Sequence, residues 1–263
     1  MPKRDKYLEV AEQAAIKAGH YLLKGLAEKK KINFKGQVDL VTPFDLKSEE
    51  IIFETINRIF PEHDFLAEEA INKNHQSDYC WVVDPLDGTT NFAHGLPFFC
   101  ISIALIFKSE IIRGVVYDPT RKELFTASQG LGAYLNGQEV RVSQTSELGN
   151  SLLATGFPYD IRTSPDNNLN HFSNFALRAQ AVRRCGSAAL DLCYVACGRF
   201  DGYWEMKLKP WDLAAGVLIV KEAGGRVTDF RGQAFEISTG EAVASNDRIH
   251  QAMLGILRLG LGK

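Results

Sequence analysis

The sequence contains no long hydrophobic run. Its most apolar stretch, Phe98 to Phe107, has ten residues, about half of the ~20 that a membrane-spanning helix needs. Neither sign of charge is in excess: 30 basic residues against 32 acidic ones leave a formal net charge of −2. No overall positive field draws the protein onto nucleic acid or an anionic membrane, so any contact with a polyanion has to be local. Cysteine is sparse. The five residues, Cys80, Cys100, Cys185, Cys193 and Cys197, are odd in number and include no C-x-x-C spacing, which argues against a disulfide or zinc framework. The six histidines show no ligand spacing, and internal repeats and low-complexity tracts are absent. The opening residues Met1 to Lys6 have no apolar stretch behind their charges, so the expectation is an untargeted, cytoplasmic protein. What the chain does have is size and apolar content. Its 263 residues, 45% of them hydrophobic, suffice for a core in one sizeable domain or two small ones and exclude a disordered chain.

Leu8, Ala11, Ala15, Ala18, Leu22 and Leu26 recur at spacings of three and four, which predicts an amphipathic helix from about Asp5 to Lys29. After a Gly-containing linker, Thr42 and Pro43 supply a cap and a preorganised first position for a second helix, expected to stop at Phe60 before Pro61. Asp64–Ala67, Tyr79–Val83, Phe98–Phe107, Ile111–Tyr117 and Glu123–Ala127 are β-rich runs bounded by turn residues. Their short connections predict antiparallel neighbours. Asn136-Gly137 predicts a hairpin turn between Ala133–Leu135 and Val140–Val142. Beyond about Glu147 strands and helices alternate: strands at Leu152–Thr155, Ala181–Arg183, Asp201–Glu205 and Ala242–Ser245, with helices at Asn168–Leu177, Ser187–Cys197, Trp211–Glu222 and from Asp247. This predicts an α+β half over residues 1–147 and a layered α/β half over residues 148–263.

The densest chemistry lies in Trp81-Val82-Val83-Asp84-Pro85-Leu86-Asp87-Gly88-Thr89-Thr90-Asn91-Phe92. A strand empties there into two aspartates, and Asp87-Gly88-Thr89-Thr90 can aim successive backbone N–H groups at an anion, as a helix start does. Hard carboxylate oxygens beside a phosphate cradle favour Mg²⁺ or Mn²⁺ over zinc. The same residues also fit an ordinary loop with a helix cap. Glu68-Glu69 follows a strand and Asp212 opens a helix; each could join the first two acids, or be a solvated strand end and a carboxylate complementing a helix dipole. Asp45 fits a capping box with Thr42. Cys193 and Cys197, four apart on a helix, read as small core residues. His94 reads as a surface or supporting residue, Arg183-Arg184 as a pair facing solvent or a subunit partner, and Lys29-Lys30-Lys31 as a solvated helix end.

Asp84-Pro85-Leu86-Asp87-Gly88-Thr89-Thr90-Asn91-Phe92, Trp211-Asp212-Leu213-Ala214-Ala215-Gly216, Glu222-Ala223-Gly224-Gly225 and the acidic pair Glu68-Glu69 together resemble the inositol monophosphatase family. Asp39-Leu40-Val41-Thr42, Gly130 to Gly137 and Cys185-Gly186-Ser187-Ala188-Ala189 fall in the family's order, so the resemblance spans nearly the whole chain. One departure is Ala67, where the family usually has glycine before the acidic pair. The resemblance implies a sandwich of alternating α-β-α-β-α layers, as in sugar phosphatases. It also implies that Glu68, Asp84 and the Leu86 carbonyl hold one Mg²⁺ and that Asp84, Asp87 and Asp212 hold a second. Glu68 would help seat a third ion, and Mn²⁺ could substitute. Four converging carboxylates are tolerable only with cations between them.

The family's chemistry is hydrolysis of a phosphate monoester by activated water, without a covalent intermediate. By resemblance Thr89 and Asp45 orient and activate that water, with Glu68 also in the catalytic set. The catalytic role competes with capping at Asp45, and the spacing from Asp39 favours catalysis. Asp87, Gly88, Thr89 and Thr90 would cradle the phosphate. Glu205, the turn Gly186-Ser187-Ala188 and Asp212 would contact the leaving group, and Lys35 resembles a family lysine near the metals. The expected substrate is a small phosphorylated polyol or sugar, with myo-inositol 1-phosphate leading and fructose 1,6-bisphosphatase or broad sugar phosphatase activity as alternatives. Lithium inhibition and a homodimer are family expectations; a membrane or a nucleic acid is not an expected partner. A haloacid-dehalogenase mechanism needs one residue between its two acids, whereas Pro85 and Leu86 make two here. Some bacterial relatives are tied to ribosomal RNA transcription, which leaves a regulatory role exerted through protein surfaces as the remaining alternative.

Overall fold

The computed structural model describes residues 5–26, 33–34 and 40–260. Helix α1 (Lys6–Leu26) starts where Asp5 Oδ1 accepts from Leu8 N at 3.0 Å, and it buries Leu8, Ala11, Ala15, Ala18 and Leu22. The three residues predicted beyond its end lie outside the described ones, as do Lys29-Lys30-Lys31, Lys35 and Asp39. A two-stranded ribbon, β1 (Asn33–Phe34) and β2 (Leu40–Val41), leads to α2 (Pro43–Asn57). This helix ends three residues before the predicted Phe60: Ile59 N and Phe60 N both turn back onto Ile56 O, at 3.0 and 2.9 Å. A residue preceding proline is driven out of the helical region, which favours such an early close.

Next come β3 (Asp64–Ala67), β4 (Asn72–Lys73), β5 (Tyr79–Asp87), the short helix α3 (Thr89–Ala93), β6 (Cys100–Phe107), β7 (Glu110–Asp118), β8 (Glu123–Ser128), β9 (Ala133–Leu135) and β10 (Gln138–Glu139). They form an eight-stranded sheet in the order β10-β9-β8-β7-β6-β5-β3-β4. Asn136 and Gly137 turn the last hairpin at φ 50° and 79°, both left-handed as such a turn requires. The return strand is Gln138–Glu139, and of the predicted Val140–Val142 only Val140 stays with the hairpin, its N bonding Ala133 O at 3.0 Å, because Val142 N leaves to bond Ala223 O at 3.2 Å. Neighbours are antiparallel as expected, with one exception. The segment holding β4 carries the chain back, so β5 runs parallel to β3 with Ala67 opposite Val83.

The remaining elements are β11 (Leu152–Thr155), α4 (Leu169–Ala176), β12 (Ala181–Arg183), α5 (Ala188–Ala196), β13 (Gly202–Glu205), α6 (Pro210–Glu222), β14 (Arg226–Thr228), β15 (Ala242–Ser245) and α7 (His250–Gly260). The five strands order as β12-β11-β13-β15-β14, parallel at β12-β11-β13 and antiparallel at β13-β15-β14.

Successive side chains of a strand point to opposite faces, and the cores follow that alternation. Trp81 and Val83 pack with α1 and α2, whereas Val82 packs with α5 and α6. Ala154, Tyr203 and Ala244 face α5 and α6 from the second sheet, while Leu153, Trp204 and Val243 face the outer core with Phe175 and Met253. The layers therefore run α1/α2, eight-stranded sheet, α5/α6, five-stranded sheet, α4/α7, as the α-β-α-β-α expectation has it. The central pair α5/α6 is largely apolar because a sheet covers each face, with Asp191 and Asp212 set toward the pocket. Cys193 is buried in this central layer and Cys197 packs at its edge.

Candidate active site

Parallel pairing of β3 with β5 puts Ala67 beside Val83, so Glu68 and Asp84 leave adjacent strands at one sheet edge. Glu68 N bonds Val83 O at 3.2 Å. Beyond Asp84 the pairing with β6 slips, resuming at Asp87 opposite Cys100. The slip carries Pro85 and Leu86 out of register and brings both acids to the same pocket. Leu86 N donates to Asp84 Oδ1 at 2.9 Å. Gly88 sits at φ 99°, and a side chain there would also press on Phe98 O at 3.1 Å, so only glycine turns the chain from β5 into α3 without strain.

One face of α2 holds this loop. Thr42 caps the helix, with Asp45 at the third helical position. Asp45 Oδ2 accepts from Thr42 N at 2.8 Å and Thr42 Oγ1 at 2.5 Å, and Asp45 Oδ1 accepts from Thr89 Oγ1 at 2.9 Å. The expected competition between capping and Thr89 is thus resolved by division: each carboxylate oxygen serves one task. Ser48 and Glu49, three and four residues further on, share the buried face. Ser48 Oγ donates to Pro85 O at 2.7 Å. Glu49 accepts from the backbone N–H groups of Glu69, Ala70 and Ile71 at 2.8, 2.9 and 2.7 Å, fastening the chain just after Glu68. Sequence reading missed both residues; the available signal was two polar side chains on the face of α2 that packs inward.

The second half contributes Asp212, whose Oδ2 accepts from Lys209 N at 2.7 Å at the start of α6, and Glu205 at the end of β13, whose Oε2 accepts from Tyr203 OH at 2.7 Å. Asp212 is therefore both a first-turn carboxylate and a pocket residue. The start of α5 also holds Asp87 in place. Ser187 Oγ and Ala189 N donate to Asp87 Oδ2 at 2.7 and 2.8 Å, so these two donors anchor Asp87.

Glu68, Asp84, Asp87, Thr89, Glu205 and Asp212 line one pocket of about 290 Å³, to which Leu86, Gly88, Thr90, Gly186, Ser187 and Ala188 also contribute. Asp45 stands behind it through Thr89. Arg184, just past the end of β12, is exposed as expected and also lines the pocket. Its charge works against the burial that raises Glu205 and Asp191 in the same lining. Asp191, a buried carboxylate on α5 in the same wall, was likewise missed. His94 is exposed and outside the lining.

Burial raises the Asp84 carboxyl well above the carboxylate range, and the charges of Glu68, Asp87 and Asp212 add to the rise against the opposing Leu86 N–H. Asp212 is pushed well up by burial and then by Asp87, opposed by the Lys209 N–H. Burial also raises Asp87 against the bonds from Ser187 and Ala189, and Asp45 against those from Thr42 and Thr89. Burial brings Glu205 up to about 7, with the Tyr203 hydroxyl opposing. Asp191 rises well through burial, then through Glu205 and Asp87. Acids that repel one another in this way, offering only hard oxygens, fit a hard divalent cation. Among the described residues no three acidic, imidazole or thiol side chains are grouped so as to hold a metal ion by themselves, and Mg²⁺ takes one or two carboxylates with waters and substrate phosphate rather than an all-protein cage. No helix among the described residues is long and apolar enough to cross a membrane.

The model of the inositol monophosphatase family matches residues 3–258. An inositol-1-monophosphatase of Synechocystis is 47% identical over 249 residues, covering 94% of this chain and 87% of that protein. The Nus factor SuhB of Escherichia coli K12 is 44% identical over 254 residues, covering 95% of each. Among solved structures, the extragenic suppressor protein suhB of Bartonella henselae superposes with a TM-score of 0.93 at 41% identity, covering 98% of this chain and 100% of that one. The inositol monophosphatase of Anabaena superposes at 0.89 and 46% identity, covering 96% and 95%.

Proposed function

Since this chain belongs to the inositol monophosphatase family, a family of phosphatases that act on phosphorylated polyols and are generally Mg²⁺-dependent, we propose that it hydrolyses myo-inositol 1-phosphate and related small sugar or polyol phosphate monoesters with water as nucleophile. The observation that carries this reading is the Thr89 hydroxyl, bonded at 2.9 Å to Asp45 at the mouth of a pocket shared by Glu68, Asp84, Asp87 and Asp212. Glu68, Asp84 and the Leu86 carbonyl would hold one Mg²⁺; Asp84, Asp87 and Asp212 would hold a second, and Glu68 would also lean toward a third. Mn²⁺ fits the same oxygens. When bound, the cations lower the pKa of water and offset the charge that develops on the phosphoryl and leaving oxygens.

The residues of the chain do the rest. Thr89 Oγ1 lies 2.9 Å from Asp45 Oδ1 and 3.0 Å from the Leu86 carbonyl. The carboxylate is the stronger acceptor of the two, so the hydroxyl hydrogen goes to Asp45 and leaves a lone pair on Oγ1. That lone pair accepts a hydrogen from the attacking water and orients it. As the water loses its proton to Oγ1, Thr89 passes its own to Asp45 Oδ1. Thr42 keeps Asp45 aimed through both bonds to Oδ2. The backbone N–H groups of Gly88, Thr89 and Thr90 cradle the phosphoryl oxygens. Glu205 and Asp212 accept from hydroxyls of the leaving group, with Gly186, Ser187 and Ala188 shaping that wall. Lithium inhibition, a homodimer and a cytoplasmic location belong to the same reading. A substrate panel that includes fructose 1,6-bisphosphate, run with Mg²⁺ and with chelator, tests it. Turnover that survives exhaustive chelation, or that ignores every polyol phosphate, refutes it.

The name Nus factor SuhB carried by relatives at 44% identity supports a second reading, a protein-binding role in ribosomal RNA transcription. Asp87→Asn separates the two: hydrolysis stops, and a transcription phenotype that persists belongs to binding.

A further inference from the structure

Parallel pairing of β11 with β13 sets Thr155 opposite Trp204, so the following residues, Gly156 and Glu205, leave their strands side by side at the pocket wall. A Cβ at residue 156 would overlap the Glu205 carboxylate, meeting Oε1, Oε2 and Cδ alike. The Glu205 carboxylate thus fills the volume that any other amino acid at 156 would take with its own side chain. Gly156 is outside the left-handed region of φ, so the backbone there makes no demand for glycine. Space does.

The backbone beneath the carboxylate is tied down from both strands. Asn168, itself buried, donates from Nδ2 to Gly156 O at 2.6 Å and to Thr155 Oγ1 at 2.9 Å, and accepts on Oδ1 from Trp204 Nε1 at 2.9 Å. Thr155 Oγ1 closes the circuit by donating to Trp204 O at 2.6 Å. Trp204 is further pinned by stacking on Phe175 with ring centroids 3.9 Å apart. Breaking this buried circuit would leave several polar groups unpaired. The Glu205 carboxylate, in contrast, sits at the end of a flexible side chain held by the Tyr203 hydroxyl. When a Cβ is added at 156, the carboxylate moves and the backbone stays.

We infer that the absent side chain at residue 156 is a specificity determinant: it makes room for the Glu205 carboxylate at the place from which the leaving group's hydroxyls are read. This rests on the polyol phosphatase reading above. Gly156 acts as a positioning residue, through Glu205, and takes no part in the attack of water.

The test is Gly156→Ala assayed with Mg²⁺ on myo-inositol 1-phosphate and on p-nitrophenyl phosphate, whose leaving group has no hydroxyl to read. On the inositol ester kcat/KM should fall about ten- to a hundred-fold, the worth of hydrogen bonds to a charged acceptor, with the loss carried by KM. The nitrophenyl ester should be turned over at the wild-type rate, and the melting temperature should stay at the wild-type value. An equal loss on both esters, or an unchanged KM for the inositol ester, overturns the inference. Tyr203→Phe, which removes the hydroxyl bonded to Glu205 Oε2, runs the same test from the other side: a smaller loss on the inositol ester alone supports the inference, and an equal loss on both refutes it. A wild-type enzyme that shows no preference for the polyol ester instead removes the polyol reading itself, a failure visible before any variant is made.

Discussion

Asp45→Asn tests whether one buried carboxylate serves two masters. In the native site Oδ1 accepts from Thr89 Oγ1 at 2.9 Å and Oδ2 accepts from Thr42 N and Oγ1 at 2.8 and 2.5 Å. The amide has one acceptor oxygen, so its NH₂ must face one of these partners. Facing Thr42 N–H it opposes donor to donor, and losing the cap costs about 1 kcal/mol, with about 1–3 kcal/mol more if a buried donor is left unpaired. Facing Thr89 it spares the cap but cannot take the hydroxyl hydrogen, and the loss of the proton acceptor should lower kcat by about 10²–10⁴. The cap keeps two bonds and Thr89 only one, so the amide should turn its NH₂ to Thr89. The expected variant is therefore well folded and nearly inactive. Steady-state kinetics on an inositol phosphate, beside a thermal melt in which 1 kcal/mol moves Tm by about 2–4 °C, reads both effects. Thr42→Ala provides the converse, a lower Tm with kcat largely kept. A folded Asp45→Asn protein with near wild-type kcat refutes the reasoning, as does a Thr42→Ala protein that loses as much kcat as Asp45→Asn.

Other outcomes follow from the same geometry. Glu49→Gln keeps one acceptor oxygen for three backbone donors, so it should weaken Mg²⁺ affinity measured by calorimetry through misplacement of Glu68, and lower stability by about 1–3 kcal/mol; unchanged Mg²⁺ affinity would detach Glu49 from the metal site. Mg²⁺ should raise the wild-type Tm because it binds the folded chain alone, and Asp212→Asn should shrink that rise; equal shifts would remove Asp212 from the ligand set. His250, buried between Ser245 Oγ at 2.8 Å and Thr228 Oγ1 at 2.9 Å, has its ordinary value of 6.5 lowered to about 4 by burial and then by the Arg226 charge. The unfolded chain binds this proton more readily, so its contribution to stability is whole above pH 6.5 and declines as pH falls to about 4. Urea midpoints measured across that window should drop toward acid, and His250→Gln should flatten the drop; an identical slope in the variant would assign it to other groups.

How far sequence reading reached can be followed residue by residue. Thr42-Pro43 announced the start of α2 and Asn136-Gly137 the last hairpin, because caps and left-handed turns are preferences of the residues themselves. The hairpin's return strand was misjudged, since Val142 spends its N–H on Ala223 across the molecule. Five acids of the pocket, Glu68, Asp84, Asp87, Glu205 and Asp212, were legible through the family motifs, and Asp191 was not. Ser48 and Glu49 were not, because their partners lie on segments that only folding brings to α2.

By itself, then, the sequence determined the helices and most strands, which follow from short-range backbone preference and periodic burial, while its motifs, through their resemblance to the family, supplied the layered class and five of the acidic groups. Only the tertiary structure decided which groups meet. The parallel register of β3 with β5 lays Glu68 against Asp84, that of β11 with β13 lays Gly156 against Glu205, and the turn before α5 gives its donors to Asp87. Such pairings depend on strand register and on side chains sharing a buried volume, and chain spacing encodes neither.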